Sequence, residues 1–517
     1  MTNKYPKVRL DEISNNISRP FPLKKKEKAI FVNTGDVSKG AFLHQNYSNV
    51  AGLPGQAKKA ILNGDILFSE IRPGNGRYAR VNFEIADDFV VSTKFMILVL
   101  NHELMDSDYF YLQLTSTETL AEFQRIAESR SGTFPQITFE AISHYPFYCP
   151  DKKTQKKISS SLITINEKIE LNQKTNQTLE QMAQALFKSW FVDFDPVFDN
   201  LLASVDFNLD NLETSLPDEL KQKAQRRLAV LDSLKNATEY KASLSALAHE
   251  LQAQLPTKEA TQAAVQVSEK AAETPVKANF NGNPKILVQH ANTHAHFPNE
   301  FEHNEQLGWI PKGWEVNQLS EITTELRRGI SPKYIEEGGV QVINQKCIRN
   351  HEVNFTPCRR NNTELRKITG RELNVGDLLI NSTGVGTLGR MAQVKYLNEV
   401  TVVDSHVTVV RADSEIYPVY SFAQMMLSIE DKIEALGHGS TGQTELSRKT
   451  VSEQWVLVPK SKALNHLNSQ LISISEKIVL NSRQINELTK LRDTLLPKLI
   501  SGELQIPDVA TDEEIVD

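Results

Sequence analysis

Cysteine is scarce in this sequence, with three among 517 residues, Cys149, Cys347 and Cys358. They are too few and too scattered for a disulfide framework or a zinc site. Long apolar runs are missing as well, and none approaches the ~20 residues needed to span a bilayer. The opening "MTNKYPKVRLDEIS" carries no signal peptide. Together these absences point to a soluble chain in the cytoplasm with no membrane partner. A basic excess is also lacking, since the net charge is −6. The acid is unevenly placed, however: residues 197–300 carry −3, residues 301–310 carry −2 and residues 501–517 carry −6, which leaves +5 on the rest. That balance permits a DNA-binding face without demonstrating one.

What is present includes "STGVGTLGR" at 382–390, where Gly384, Gly386 and Gly389 match the G-x-G-x-x-G pattern of a dinucleotide loop. Such a loop needs a strand before it and a helix after it. "GDLLIN" at 376–381 reads as a strand, but the β-branched, alternating "RMAQVKYLNEVTVVDSHVTVV" that follows predicts further strands. A phosphate-binding G-x-x-x-x-G-K-[ST] loop is excluded too, because Arg390 and Met391 stand where Lys and Ser/Thr are required. The remaining reading is a glycine-rich hairpin turn, and no cofactor is expected on this chain.

Internal repetition supports that reading. "ILNGDILFSEIRPGNGRYARV" at 61–81 resembles "ELNVGDLLINSTGVGTLGRMAQV" at 372–394, and the third glycine of the second copy falls on Ala79 in the first. The repeat continues through "VVSTKFMILVL" at 90–100 and "VVDSHVTVVRA" at 402–412. Further on, Ile137 and Leu446, Ile142 and Val451, Pro150 and Pro459, and Glu167-Lys168-Ile169 and Glu476-Lys477-Ile478 all differ by 309. The fixed offset spans two polar loops, "SRSGTFPQIT" at 129–138 and "HGSTGQTELS" at 438–447, rich in groups that bond phosphates and base edges.

Each copy ends in a heptad pattern. Alternate steps of four and three run through Ile158, Leu162, Ile165, Ile169, Asn172, Asn176, Leu179, Ala183, Leu186 and Trp190. The second seam runs through Leu467, Leu471, Ile474, Ile478, Asn481, Ile485, Leu488, Arg492, Leu495 and Leu499. A helix of this length extends about 50 Å at ~1.5 Å per residue, too far to bury its stripe in one small domain. The two helices are therefore expected to pair, and an antiparallel arrangement sets Asn176 opposite Asn481. The fold class is α+β, in the form of two repeated mixed α/β domains each followed by a long helix, with the helices paired as an antiparallel coiled coil.

The segment between the copies has no counterpart after the second helix. Residues 216–255 have helical composition, while "TKEATQAAVQVSEKAAETPVKANFNGNP" reads as a flexible tether. His290, His294 and His296 have loosely metal-like spacing but no third-element ligand, so they read as solvent-exposed and no metal is expected.

The strings "LFKSWFVDFDPV" at 186–197, "LGWIPKGWEV" at 307–316 and "LRDTLLPKLISGEL" at 491–504 resemble the specificity subunit of type I restriction-modification enzymes. The resemblance covers roughly 1–197 and 307–505. It implies target-recognition domains over 1–150 and 307–460 and spacer helices over 151–196 and 461–505, while the unmatched 197–306 reads as an insertion or linker and 506–517 as an acidic tail. It also implies that each domain reads one half of a split double-stranded DNA target. Two methyltransferase subunits would dock on the helices, and motor-nuclease subunits would join them. S-adenosylmethionine, ATP and Mg would then belong to those partners.

Candidate DNA contacts are Arg72, Arg77, Arg80 and Arg390 from the glycine hairpins, with Arg130, Thr133, Gln136, Gln443 and Thr444 from the later loops, because Arg and Gln make bidentate contacts with base edges. Trp190 and Phe191 are the candidate docking aromatics. Three rival readings weigh less. A DNA methyltransferase would need a cofactor loop and an N-P-P-aromatic motif, and neither is present. A nuclease centred on Asp193 and Asp195 lacks the rest of a metal constellation, and those residues read as helix-end groups. A non-catalytic coiled-coil scaffold binding a non-DNA ligand is the alternative that salt-dependent duplex binding would exclude.

Overall fold

The computed structural model describes residues 5–130, 134–212, 216–253, 293–384, 386–437 and 445–506. The chain forms two compact units, Met1–Lys174 with Asn481–Asp517, and Thr175–Leu480. Each unit thus takes one recognition domain and a part of both long helices, so the contact boundary cuts the helices rather than falling at their ends.

In the first unit, β-branched and aromatic residues build an antiparallel four-stranded sheet in the order Tyr78–Arg80, Ile66–Ser69, Phe95–Leu100, Ser14–Asn16. A second, five-stranded sheet holds Arg19–Pro20, Ala57–Ala60, Phe89–Ser92, Lys28–Val32 and Tyr47–Asn49, with Phe89–Ser92 parallel to Lys28–Val32. Phe68, Met96, Tyr109, Phe110, Phe123 and Phe147 form the core on one side of the antiparallel sheet. Ile158 and Leu162 from the start of the first long helix (Lys152–Phe191) join that core, as do Leu496, Leu499 and Ile500 from the end of the second (Ser461–Ser501). Two side-chain contacts fix the helix direction in this unit. Asn172 donates Nδ2 to Gln484 at 2.7 Å, and Arg492 donates Nη1 to Asn166 at 3.1 Å. As one index rises the other falls, which is antiparallel.

The second unit repeats the plan. Its antiparallel sheet runs Thr323–Arg328, Val407–Ala412, Leu378–Asn381, Met391–Gln393. The accompanying sheet runs Tyr334–Ile335, Arg359–Asn361, Val340–Ile343, Thr401–Val403, with the last two strands parallel. Ala183, Phe187, Trp190 and Phe191 from the end of the first helix share a core with Trp314, Tyr417, Phe422, Leu464 and Leu467. Trp190 stacks on His466 at 5.5 Å, and Asn176 donates Nδ2 to the Ile478 carbonyl at 3.3 Å, so the helices are antiparallel here as well. None of the expected seam positions is exposed in either unit, whereas Leu171, Met182, Leu480 and Leu491, off the seam, are. Asn176 and Asn481 belong to different units, and their side-chain pairing stays an expectation.

Two sequence expectations fail in the second unit. Trp190 and Phe191 were assigned to partner docking, yet they are 7% and 5% exposed and pack against Phe297 and Trp314. Their aromatic area is spent on seating the helix on its own domain. His294 was read as solvent-exposed, yet it is 4% exposed, with Nε2 at 3.1 Å from Asp199. Asp199 also takes a bidentate pair from Arg227, at 2.7 and 2.8 Å. Burial works against ionisation of Asp199, but the bonds from Arg227 and His294 outweigh it and hold the carboxyl below its ordinary value. His296 is half-buried with its ring against that of His466, and His290 lies outside the described residues.

This network anchors a small helical module within the insertion. The helices Asp195–Ser204, Asp218–Asp232 and Ala237–Ala253 close over Phe198, Leu202, Leu220, Ala224 and Leu231. Asp195 is the first residue of the module's first helix, within 3.2 Å of Arg227, an acidic group in the first turn where the helix dipole favours it. Asp193 lies on the surface with Lys188. Among the described residues no cluster of His, Cys, Asp or Glu could hold a metal ion. The tether sequence lies outside the described residues.

Candidate nucleic-acid interface

The two glycine motifs are hairpins. Ile66–Ser69 pairs antiparallel with Tyr78–Arg80, and Leu378–Asn381 with Met391–Gln393, so no helix follows either glycine run. Gly389, the third glycine of the dinucleotide-like pattern, has φ +78° and lies so close to the Glu434 backbone that a Cβ would come within 2.7 Å of it. Its role is helix packing. At the matching place in the first copy, Ala79 is an ordinary buried strand residue.

The Gly-Asp step shared by the repeats also has a structural job. Asp65 is buried and takes two bonds from Arg19, at 2.6 and 3.1 Å, and one from the Leu62 N–H at 2.7 Å. Asp377 is buried and takes two from Arg411, at 2.7 and 2.8 Å, and one from the Asn374 N–H at 2.7 Å. A carboxylate held by a bidentate guanidinium and its own turn fixes the start of each hairpin strand.

Each hairpin is then tied to the later polar loop of its own domain. In the first, Ile71 bridges to Gln136, the Arg72 N–H donates to the Pro135 carbonyl at 3.0 Å, and the Ile137 N–H to Glu70 at 2.8 Å. In the second, Thr383 bridges to Glu445, and the Leu446 N–H donates to Ser382 at 2.9 Å. Two segments that are separate in sequence thus meet in the same way twice. The juncture presents hydroxyls, amides and cations on short loops, the group types that bond phosphate and base edges.

The nominated residues divide at this juncture. Arg72 is exposed, with a left-handed backbone (φ 44°) at the hairpin tip, and Arg130 is exposed at the end of the helix Thr117–Arg130. Arg390 is half-buried just before the return strand of the second hairpin. Arg77 instead donates Nη1 to the carbonyls of Val37 and Gly35, at 2.9 and 3.3 Å. Arg80 pairs with Asp108 and lies 5.1 Å from the Tyr111 ring, while Gln136 donates to Glu70 at 3.1 Å. Those three are occupied within the chain. Thr133, Gln443 and Thr444 lie outside the described residues.

Sequence reasoning missed several neighbours. Lys39 is exposed beside Gly76, to whose carbonyl its N–H donates at 2.7 Å, and half-exposed Phe134 sits next to Pro135. In the second domain His406 is exposed with Nδ1 at 2.9 Å from Thr383, and Gln345 donates to the same hydroxyl. Arg328 donates to the Leu446 carbonyl at 2.7 Å and to Glu445 at 3.0 Å, holding the second loop in place. No local signal marked these residues, since each partner is distant in sequence.

The described chain thus holds two like α/β domains, each with the same hairpin–loop juncture and each packed against parts of both long helices. A family model described as a type I restriction modification DNA specificity domain matches residues 3–181. The chain is 33% identical over 509 residues to the type I restriction enzyme HindI specificity subunit of Haemophilus influenzae, covering 96% of this chain and 98% of that one. It is 21% identical over 420 residues to the MjaIX specificity subunit of Methanocaldococcus jannaschii, covering 78% and 70%. A crystal structure of the type I restriction-modification system S subunit from M. genitalium matches at 14% identity with a TM-score of 0.46, covering 99% of this chain and 98% of that one. The chain belongs to the specificity subunits of type I restriction-modification enzymes. Subunits of this family recognise DNA and are not themselves catalysts. No helix among the described residues is long and apolar enough to cross a membrane.

Proposed function

We propose that each domain reads one half of a split double-stranded DNA target through its hairpin–loop juncture, and that the two halves differ in sequence. The repeated meeting of glycine hairpin and late loop is the observation that carries this reading. Arg72, Arg130 and Lys39 supply the first domain's contacts, and Arg390, His406 and Lys346 those of the second. Lys346 is exposed next to Gln345. Cations and short polar groups of this kind bond phosphates for position and base edges for sequence.

Docking of two methyltransferase subunits is assigned to the exposed apolar residues of the long helices, Leu171 and Leu491 in the first unit and Met182 and Leu480 in the second. They replace Trp190 and Phe191, which the core consumes. Motor-nuclease subunits complete the assembly, and S-adenosylmethionine, ATP and Mg reside on the partners. The complex acts in the cytoplasm, where its DNA is.

The test is coexpression with the methyltransferase subunit in a host lacking adenine methylation, followed by modification-sensitive sequencing. One split motif with two unlike halves is the expected result. Assembly of the complex without any methylation would contradict the reading.

A further inference from the structure

The scarcity of cysteine makes its placement informative. Cys347 and Cys358, 11 residues apart, bring their Sγ atoms to 3.6 Å in the second domain as free thiols. Their backbones are already pinned around that approach. The Asn354 N–H donates to the Cys347 carbonyl at 2.7 Å, and Asn344 donates Nδ2 to the Pro357 carbonyl at 3.0 Å. A disulfide requires about 2.05 Å between sulfurs, so closure takes roughly 1.5 Å of side-chain rotation.

The two sulfurs are not equivalent. Cys347 is fully buried among Ile343, Ile348 and Leu373, while Cys358 is half-buried and reachable from solvent. The Cys358 thiol and the Asn344 N–H, 3.4 Å away, both hydrogen-bond the Cys347 sulfur and hold its thiol below the ordinary range. The same contact, with burial, pushes the Cys358 thiol up, so the outer sulfur that an oxidant meets rests protonated, and the inner one is kept ready as its base and as the internal nucleophile.

We propose that Cys347 and Cys358 form a redox modification site at which a hydroperoxide closes an intradomain disulfide. In the first step the Cys358 thiol hands its proton to the Cys347 thiolate that it hydrogen-bonds, and the sulfur so freed attacks the peroxide. The O–O bond breaks, an S–OH bond forms, and the alkoxide or hydroxide leaves as alcohol or water after taking that proton from Cys347, which is left a thiolate again. In the second step the Cys347 thiolate attacks the Cys358 sulfenic sulfur, the S–S bond forms and hydroxide leaves as water. Two thiols are oxidised and one peroxide is reduced.

The segment closed by the bond links two functional places. It starts next to Gln345, which donates to Thr383 of the glycine hairpin, and it carries His351, which meets Gln184 of the first long helix at 3.0 Å and Glu430 at 2.7 Å. The disulfide would therefore hold the second hairpin's neighbour to the helix seat. Formation of the bond stands independently of the DNA reading.

The test treats the folded full-length chain with hydrogen peroxide, then unfolds it, counts thiols and maps peptides without reduction. Titratable thiols should fall from three to one, leaving Cys149, and a linked peptide pair containing Cys347 and Cys358 should be two hydrogens lighter than its parts. Cys149→Ser should fall from two thiols to none. In Cys347→Ser, Cys358 should stop at the sulfenic acid and be captured by dimedone. Three surviving thiols in the wild-type chain would overturn the proposal, as would links only between separate chains or sulfinate on Cys358 without a link.

Discussion

The two recognition domains share one sheet and differ in the other. The antiparallel sheet that carries the hairpin has the same strand order in both, from Tyr78–Arg80 to Ser14–Asn16 and from Met391–Gln393 to Thr323–Arg328. The accompanying sheet keeps its parallel pair and one antiparallel strand beside it, Tyr47–Asn49 on Lys28–Val32 or Arg359–Asn361 on Val340–Ile343, but its edges differ. The first domain adds Ala57–Ala60 and Arg19–Pro20 beyond Phe89–Ser92, whereas the second ends at Thr401–Val403 and adds Tyr334–Ile335 beyond Arg359–Asn361. The difference teaches that the frame placing the hairpin against the late loop is fixed by buried pins, while the surface around it is free to vary. Two unlike half-sites can be read from one scaffold.

The sharpest way to break the comparison is at those pins. Asp65→Ala strips the mostly buried Arg19 guanidinium of its carboxylate, a change expected to cost about 2–4 kcal/mol once partial exposure of the arginine is allowed for, while Asp377→Ala leaves Arg411 its second carboxylate, Glu325 at 2.8 Å, and should cost less. Hydrogen exchange should place the first loss in Ile66–Ser69 and the second in Leu378–Asn381. Loss of protection in only one domain would show that the frames are not equivalent.

Gly389→Ala should cost about 1–3 kcal/mol, since the left-handed backbone and the Glu434 contact both resist a Cβ. The matching Ala79→Gly in the first domain should cost about 1 kcal/mol or less. Unfolding monitored in each domain separates the two.

Arg72 and Arg80 lie on one hairpin with opposite surroundings. Arg72→Ala should weaken duplex binding by about 1–3 kcal/mol in the assembled complex and leave the fold intact. Arg80→Ala should cost stability first, because it empties the place between Asp108 and Tyr111. Equal binding losses with equal stability would contradict this division.

The smallest effect is a pH response confined to the second unit. Hydrogen bonding to Glu430 raises the His351 pKa above 6.5. The group gains its proton more readily when folded, so its contribution is complete below pH 6.5 and lost as pH rises through the folded value. The gain should be at most about 1 kcal/mol for a pair this exposed. His351→Gln should flatten the dependence of second-unit stability between pH 6 and 8, an interval chosen to bracket the ordinary histidine range.

The sequence made the local parts of this molecule legible. Both helix seams came from a heptad pattern, because periodicity is written in adjacent residues. Both hairpins came from strands flanking glycine, and the repeat itself disposed of the nucleotide reading. What stayed hidden depends on distant partners. Asp199 and His294 lie 95 residues apart, so nothing local told that His294 would be buried. Arg77 and Arg80 looked like contacts until Val37 and Asp108 were seen to hold them. Trp190 has the composition of an interface anchor, and only the packing against Phe297 and His466 shows that the interface is internal. Arg328 and Gln345 left no signal, because their roles are set by the loops they touch.

The central claim is that each domain reads its own half-site, and exchange of residues 307–460 for those of a relative with a different target tests it most directly. The hybrid, coexpressed with the methyltransferase subunit, should methylate a split motif whose one half is unchanged and whose other half is new. A hybrid that assembles and methylates but alters both halves, or neither, would contradict the account.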